Sequence, residues 1–185
     1  MAGKFLCPRC FELRSLDSIE YICSNTSTTY KCQHAIDRMP QHPANAKKPV
    51  CEECGQPLVT KICPKCGGEL PLNIGTAKSY PIAIIGAKET GKSNYVAVLI
   101  NQLKNDIGRA FNCALMACGD KTLNRYRTEF YDPLYRHRTC VRGSDAGDVD
   151  PLIYSLIFQR KGGLFKKAMN DAVSLTFFDT AGENL

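Results

Sequence analysis

Cysteines dominate the first third of this chain and limit what it can fold into. Of the 11 cysteines, eight lie within residues 1–66, and six of these form Cys-x-x-Cys pairs. No N-terminal stretch has the apolar core of a signal peptide, and no run approaches the ~20 apolar residues of a membrane span. The pattern predicts a cytoplasmic protein whose reduced thiols bind metal, because a disulfide framework needs an oxidising compartment.

The later cysteines of this region have the spacing of a zinc ribbon. Cys51 and Cys54 are followed by Cys63 and Cys66, and a glycine comes directly after each pair. A Cys-x-x-Cys turn points backbone N–H groups at the sulfurs, and glycine lets the chain reverse without a Cβ clash. Four thiolates leave Zn²⁺ no open position, so the predicted site is structural.

The earlier cysteines are less regular, and they predict a second zinc site. Cys7 and Cys10 form a pair, whereas Cys23 and Cys32 stand alone. The simplest assignment is one tetrad of these four, and the alternative is that His34 replaces Cys32 as a ligand.

Composition divides the chain near residue 75 into a cysteine-rich front and an aliphatic back. Between the two cysteine groups lies a stretch rich in proline, alanine and lysine, which is typical of an exposed connector. The predicted domains are a first zinc-binding module at residues 1–38, a linker at 39–50, a four-cysteine zinc ribbon at 51–72, and an α/β domain at 78–185.

The α/β domain begins with a strand, a loop and a helix. Residues 80–85 are an apolar run typical of a buried strand, and apolar residues then recur at helical spacing up to about Gly108. The intervening Gly-x-x-x-x-Gly-Lys-Ser matches the phosphate-binding loop, in which Lys92 would bridge the β- and γ-phosphates and the Ser93 hydroxyl would bind Mg²⁺. The residues predicted to bind nucleotide here are Gly86, Ala87, Lys88, Glu89, Thr90, Gly91, Lys92, Ser93 and Asn94.

A second motif follows the predicted strand at residues 173–178. Asp179 would hold the Mg²⁺ shell, and Gly182 would offer its N–H to the γ-phosphate. A polar, glycine-bearing stretch after residue 138 is where a switch I loop would lie, with Thr139 or Ser144 supplying a Mg²⁺-binding hydroxyl, Thr139 being preferred.

The sequence Asp-Thr-Ala-Gly-Glu at residues 179–183 resembles the start of switch II in Ras-like, TRAFAC-class GTPases. Joined to cysteine knuckles, the chain is similar to bacterial zinc-ribbon proteins of the double-GTPase type. The resemblance implies a three-layer P-loop NTPase sheet, with GTP and Mg²⁺ bound. It also implies catalytic roles for Lys92, Thr139 and Glu183.

Two departures from this family alter the expectation. Glu183 stands where Ras-like enzymes place glutamine, so hydrolysis is predicted to be slow, because a carboxylate would repel the γ-phosphate. The guanine-reading Asn-Lys-x-Asp motif would come after position 185, so the chain is predicted to be a C-terminally truncated fragment that binds nucleotide poorly alone.

The leading hypothesis is therefore a GTP-binding switch coupled to a protein partner through the zinc ribbons or the switch loops. The first alternative is an ATP-binding P-loop protein that acts on nucleic acid. The second is a zinc-ribbon interaction module on an inert P-loop scaffold. The net charge of +6 is spread over both halves, so nucleic acid is permitted but not indicated, and no membrane association is expected.

Overall fold

The chain folds as two units, Met1–Gly75 and Thr76–Leu185. The computed structural model describes residues 3–27, 31–43, 49–87, 89–143, 150–159 and 170–179. These residues form a mixed α/β structure with three sheets, and the first unit contains two cysteine clusters.

Short elements make up the first unit. They are β1 (Lys4–Leu6), β2 (Leu13–Ser15), a 3₁₀ turn (Leu16–Ser18), β3 (Glu20–Ile22), α1 (Gln33–Ile36), β4 (Thr60–Ile62) and β5 (Glu69–Leu70). β1 and β2 pair as an antiparallel hairpin in which Leu6 lies opposite Leu13. β3 and β5 both pair antiparallel with β4, which is therefore the centre of a separate sheet.

Apolar side chains and sulfurs share one core in this unit. Phe5, Tyr21, Leu58 and Leu70 are buried together with five of the cysteines. Strands of two or three residues bury little surface, and so small a unit forms only a marginal hydrophobic core. The stability of this unit is therefore expected to depend on a bond or a ligand that links the cysteine sulfurs.

Most described residues of the connector predicted at residues 39–50 are exposed, but the connector contacts the rest of the unit near both of its ends. Gln41 is 5% exposed and exchanges two backbone hydrogen bonds with Tyr21, at 2.8 and 3.0 Å. Val50 forms a β-bridge with Pro57. Residues 44–48 of the predicted linker lie outside the described residues.

The second unit has longer elements. They are β6 (Lys78–Ile84), α2 (Lys92–Lys104), α3 (Asp106–Ala110), β7 (Cys113–Ala117), α4 (Gly119–Arg125), a π-helical segment (Tyr126–Arg136), β8 (Leu152–Gln159) and β9 (Asn170–Asp179). Both β6 and β9 are longer than the strands predicted at residues 80–85 and 173–178. No helix within the described ranges has the length and apolar character to cross a membrane.

Its four strands run in the order β6-β9-β8-β7. β6 and β9 pair in parallel, so that Ile84 lies opposite Asp179, and the other two pairings are antiparallel. One face of α2 is fully buried, with Val96 and Ile100 both at 0% exposure, and it belongs to the same core cluster as Tyr154 and Phe177 of the sheet.

Two buried tyrosines in this core offer a matched test of the packing. The Tyr126 hydroxyl donates to the Ala97 carbonyl at 3.1 Å, whereas the Tyr154 hydroxyl has no hydrogen-bond partner among the described residues. Tyr126→Phe is expected to lower the free energy of unfolding by about 1 kcal/mol, because it removes a made bond, and Tyr154→Phe to raise it by about 1 kcal/mol, because it removes an unpaired buried hydroxyl. Denaturant titration of the two variants measures both changes, and equal losses would contradict the assignment.

Candidate metal centres

The three Cys-x-x-Cys knuckles share one backbone geometry. In each knuckle, the N–H of the first cysteine donates to the carbonyl of the residue five positions later. The N–H of the residue after the second cysteine donates to the carbonyl of the first cysteine, and all these distances are 2.8–3.0 Å. The residue after the second cysteine has a positive φ in every knuckle: Phe11 (54°), Gly55 (67°) and Gly67 (63°). Glycine adopts this left-handed region freely, whereas a residue with a Cβ does so at a cost of roughly 1–2 kcal/mol.

The six sulfurs of the knuckles and those of Cys23 and Cys32 form two tetrads, and in each the sulfurs lie within 4.8 Å of one another. We call them the outer site and the inner site. The outer site consists of Cys7, Cys10, Cys63 and Cys66. The inner site consists of Cys23, Cys32, Cys51 and Cys54.

The sulfur spacing in both sites fits a tetrahedral metal. The Sγ–Sγ distances are 3.9 Å for Cys7–Cys66 and 3.7 Å for Cys32–Cys51. A tetrahedron with Zn–S bonds of about 2.3 Å has edges of about 3.8 Å, whereas a disulfide bond is only about 2.0 Å long. The residues present can therefore hold zinc, with every ligand position taken by a thiolate.

The structure pairs the cysteines differently from the sequence analysis. Proximity in sequence predicted one tetrad from the first four cysteines and another from the last four. Instead, each site takes two cysteines from each group, so the Cys63–Cys66 knuckle shares a site with Cys7 and Cys10. Chain spacing defines a knuckle but does not determine which other knuckle it meets, because the pairing of β3 with β4 decides that.

Polar side chains surround Cys51 of the inner site. Gln41 Nε2 lies 3.6 Å from the sulfur, and His34 Nδ1 lies 3.7 Å from it. Burial raises the pKa of the Cys51 thiol, but the N–H groups of Cys54 and Glu53, with the Gln41 amide, outweigh burial and lower the pKa to about 6. His34, the alternative ligand to Cys32, is thus a neighbour of a ligand, while Cys32 itself belongs to the tetrad.

Glu53 joins this knuckle to the start of α1. Its carboxylate accepts the N–H groups of Gln33 and His34 at 3.1 and 2.8 Å, and the Cys32 thiol donates to it at 3.0 Å. These hydrogen bonds lower the pKa of Glu53 to about 2, and the bond from Cys32 has the largest effect. Burial, and then Glu53, raise the pKa of the Cys32 thiol. A metal that bound there would have to displace the thiol proton.

The two sites differ in exposure and in neighbouring charge. Three cysteines of the inner site are buried, whereas Cys66 of the outer site is exposed. The outer knuckles carry Arg9 and Lys65 between their cysteines, and the Cys51–Cys54 knuckle carries two glutamates. Because a zinc tetrathiolate is doubly negative, the cations partly neutralise the outer site, and the glutamates add negative charge at the inner one.

Gln41 is a contact that sequence reasoning missed, because its polar, proline-containing surroundings indicate an exposed loop. Gln41→Leu is expected to weaken metal binding at the inner site by about 10- to 100-fold, because a hydrogen bond to a ligand orients it and stabilises its charge. Competition with a zinc chelator measures the change. Gln33→Leu is the matched control, since Gln33 Nε2 donates to the Asp37 carboxylate at the surface, and an equal loss in that variant would contradict the role of Gln41.

The glycine-rich loop lies between β6 and α2, where the sequence predicted it. Lys92 Nζ donates to the carbonyls of Gly86 and Ala87, both at 2.8 Å, and the Thr90 hydroxyl donates to Ala87 at 2.8 Å. Gly91 has a φ of 82°, which favours glycine at the point where α2 begins. Lys88 lies outside the described residues.

The other residues predicted to contact nucleotide make contacts within the protein, lie near the loop through their backbone, or fall outside the described residues. The Thr139 hydroxyl donates to the Pro133 carbonyl at 3.2 Å, and Asn94 Oδ1 accepts the N–H of Val141 at 2.8 Å. Asp179 ends β9 beside Ile84, so that its backbone is near the start of the loop. Ser144, Gly182 and Glu183 lie outside the described residues.

Comparison with known proteins found one curated relative that bears on function. The chain is 34% identical over 107 residues to SaeC of Mycolicibacterium smegmatis, provisionally described as an ESX-1 scaffolding and assembly protein. The match covers 55% of this chain but only 28% of SaeC. No family model matches the chain, and neither does any solved structure.

This match corrects the assignment to a GTPase family. The prediction of a Ras-like, TRAFAC-class GTP switch of the double-GTPase type rested on two short motifs, at residues 86–93 and 179–183. The likeness to SaeC extends over 107 residues and leads to a protein described by scaffolding and assembly, so the GTP-switch prediction is wrong. GTP and Mg²⁺ gain no support from the described residues, and the nucleotide-binding roles of individual loop residues stay predictions.

Proposed function

We propose that this chain is a zinc-stabilised interaction module of a protein that scaffolds the assembly of a larger complex. The observation that carries the proposal is that eight cysteines meet in two sets of four, each with its sulfurs within 4.8 Å of one another. The likeness to SaeC, described as a scaffolding and assembly protein, supports the assembly role and implies protein partners. The interaction-module alternative from the sequence is the hypothesis that this likeness favours.

Zinc is the metal that this donor set favours. Four thiolates select Zn²⁺ or iron over the hard cations, and a closed site has no position for substrate, so bound zinc would supply structure rather than chemistry. All 11 cysteines are free, which fits a reducing compartment such as the cytoplasm. Metal analysis of the purified chain is expected to find two zinc ions per chain, and iron in their place would overturn the choice of metal.

For the second unit we propose the finer fold predicted from sequence, a three-layer α/β sheet of the P-loop type. The parallel pairing of β6 with β9 and the glycine-containing turn from β6 into α2 support it. This proposal concerns architecture alone.

The assembly role can be tested in Mycolicibacterium smegmatis with a chimera of SaeC in which this chain replaces the segment that aligns with it. We expect the chimera to support ESX-1 assembly, measured by copurification of ESX-1 components. The same chimera with Cys32→Ser should fail, because the inner site is lost, and Cys140→Ser is the matched control since Cys140 belongs to neither tetrad. A chimera that fails without any substitution, or one that works with Cys32→Ser, would contradict the proposal.

A further inference from the structure

The outer and inner sites differ in how closely a dissolved molecule can approach their cysteines. Cys66 of the outer site is exposed and Cys10 is half-buried, whereas the inner site has three buried cysteines and one half-buried cysteine. Bound zinc would keep every ligand as a thiolate, which is the form of cysteine that oxidants attack. Because thiolate character is then common to both sites, access decides which site reacts first.

Charge acts in the opposite direction, but its effect is smaller. Glu52 and Glu53 lie between the cysteines of an inner knuckle, and negative charge makes a nearby thiolate more nucleophilic. A tenfold change in the acidity of a thiol alters the nucleophilicity of its thiolate only about threefold. A buried sulfur, in contrast, reacts only when its surroundings open. The exposed Cys66 is therefore the ligand that an oxidant reaches first.

Cys7 is placed to complete an oxidation that begins at Cys66. The Sγ atoms of these two cysteines lie 3.9 Å apart and belong to different knuckles. A disulfide bond is about 2.0 Å long, so each sulfur has to move by only about 1 Å once no metal lies between them. Cys7 is buried, so it reacts after Cys66 rather than with the oxidant itself.

We propose that Cys66 is an oxidation site through which hydrogen peroxide releases the zinc ion of the outer site. The Cys66 thiolate attacks one peroxide oxygen, the O–O bond breaks and hydroxide leaves, which gives a sulfenic acid. The Cys7 thiolate then attacks the oxidised sulfur and displaces a second hydroxide, so a disulfide forms. The two sulfurs lose the two electrons that the peroxide gains, and both hydroxides take protons from the buffer. Zn²⁺ leaves because only two thiolates of the site remain.

This proposal rests on the proposed function, because it needs zinc in the outer site. All four inner ligands lie between Cys7 and Cys66 in the chain, and none of them takes part in the reaction. The inner ion therefore stays bound, and the new disulfide links the same two knuckles that the outer ion linked before. Reduction by a dithiol, which itself becomes a disulfide, restores the four outer thiols and allows zinc to return.

The test uses the full zinc-loaded chain, hydrogen peroxide and a dye that reports free zinc. One ion is expected to leave at least about tenfold faster than the other, because oxidation follows access. Peptide mapping after the first ion has left should find a disulfide between Cys7 and Cys66, with the four inner cysteines still open to alkylation once the chain is unfolded. Removal of the peroxide, followed by dithiothreitol and zinc, should restore the second ion.

Two variants sharpen this test. Cys140→Ser is the matched control, since Cys140 is an exposed cysteine outside both tetrads, and this variant should release zinc as the parent does. Cys66→Ser is expected to hold only the inner ion. At the peroxide dose that empties the outer site of the parent, it should release no zinc.

Several results would overturn the inference. Release of both ions at one rate, or release of the inner ion from Cys66→Ser, would show that access does not distinguish the sites. A first disulfide that lacks Cys66 would place the oxidation elsewhere. A chain that holds two zinc ions and releases neither overturns this inference alone, whereas a chain that holds no zinc overturns the proposed function as well.

Discussion

Replacing Cys32 with serine is expected to empty the inner metal site and to weaken zinc binding at the outer one, whereas replacing Cys66 is expected to empty only the outer one. The reason is the order of the ligands along the chain: all four inner ligands lie between the two halves of the outer site. When the inner site is filled, the outer site has only the short segments 11–22 and 55–62 left to order. When it is vacant, the outer site must close one long loop, which adds about 1 kcal/mol of loop entropy.

Packing adds to this asymmetry. Sulfurs of both sites belong to one core cluster, so loss of the inner metal also weakens the surroundings of the outer site. Cys66 is exposed and lies at the end of the outer set, so its loss disturbs less of that core. Native mass spectrometry of the full chain should therefore count about two zinc ions in the parent, one in Cys66→Ser and fewer than one in Cys32→Ser.

Two further variants control this experiment. Cys140→Ser removes an exposed cysteine outside both tetrads and should retain both zinc ions. Cys23→Ser removes a second inner ligand and should reproduce Cys32→Ser. If Cys66→Ser lost both ions, or if Cys32→Ser kept the outer ion, the dependence of one site on the other would be refuted.

Removal of zinc is expected to unfold the first unit and leave the second folded. The strands of the first unit are two or three residues long, and its core is built around sulfurs. A structural zinc site contributes an apparent binding free energy of about 10–16 kcal/mol, which is comparable with the whole stability of a small domain, about 5–15 kcal/mol. The core of the second unit includes none of the eight tetrad cysteines.

Amide hydrogen exchange on the full chain measures this prediction unit by unit. After chelation, amides of β3 and β4 should exchange freely, while those of β8 and β9 should keep their protection. Added zinc should restore the first unit, because the metal binds only the folded arrangement. Protection of β3 and β4 that survives in the absence of metal would show that the apolar core suffices without the sulfurs.

Local features of both units followed closely from the sequence. The apolar run at residues 80–85 and the helical spacing after Asn94 predicted β6 and α2 to within a few residues, because short-range periodicity determines such elements. The eight tetrad cysteines were also identified by residue type and clustering. These properties depend on neighbours in the chain and need no knowledge of the fold.

Long-range pairing could not be obtained in the same way. Nothing in the spacing of Cys63 and Cys66 indicates that they meet Cys7 and Cys10, since that depends on how β3 and β4 align. Gln41 was missed for the same reason, because its backbone partner Tyr21 lies in a distant strand. The functional prediction failed for another reason. Two short motifs indicated a GTPase, whereas the likeness over 107 residues is to SaeC, which is described as a scaffolding and assembly protein.

The interleaved ligands have a consequence for a chain that is cut. A single break in residues 44–48 would leave Cys7, Cys10, Cys23 and Cys32 on one fragment and the other four ligands on the second. Each site would then take two thiolates from each fragment, so bound zinc would hold the two fragments in one complex. The same geometry would let two intact copies form a domain-swapped dimer, in which each site takes two thiolates from each copy. Removal of the metal would then allow the two copies to separate.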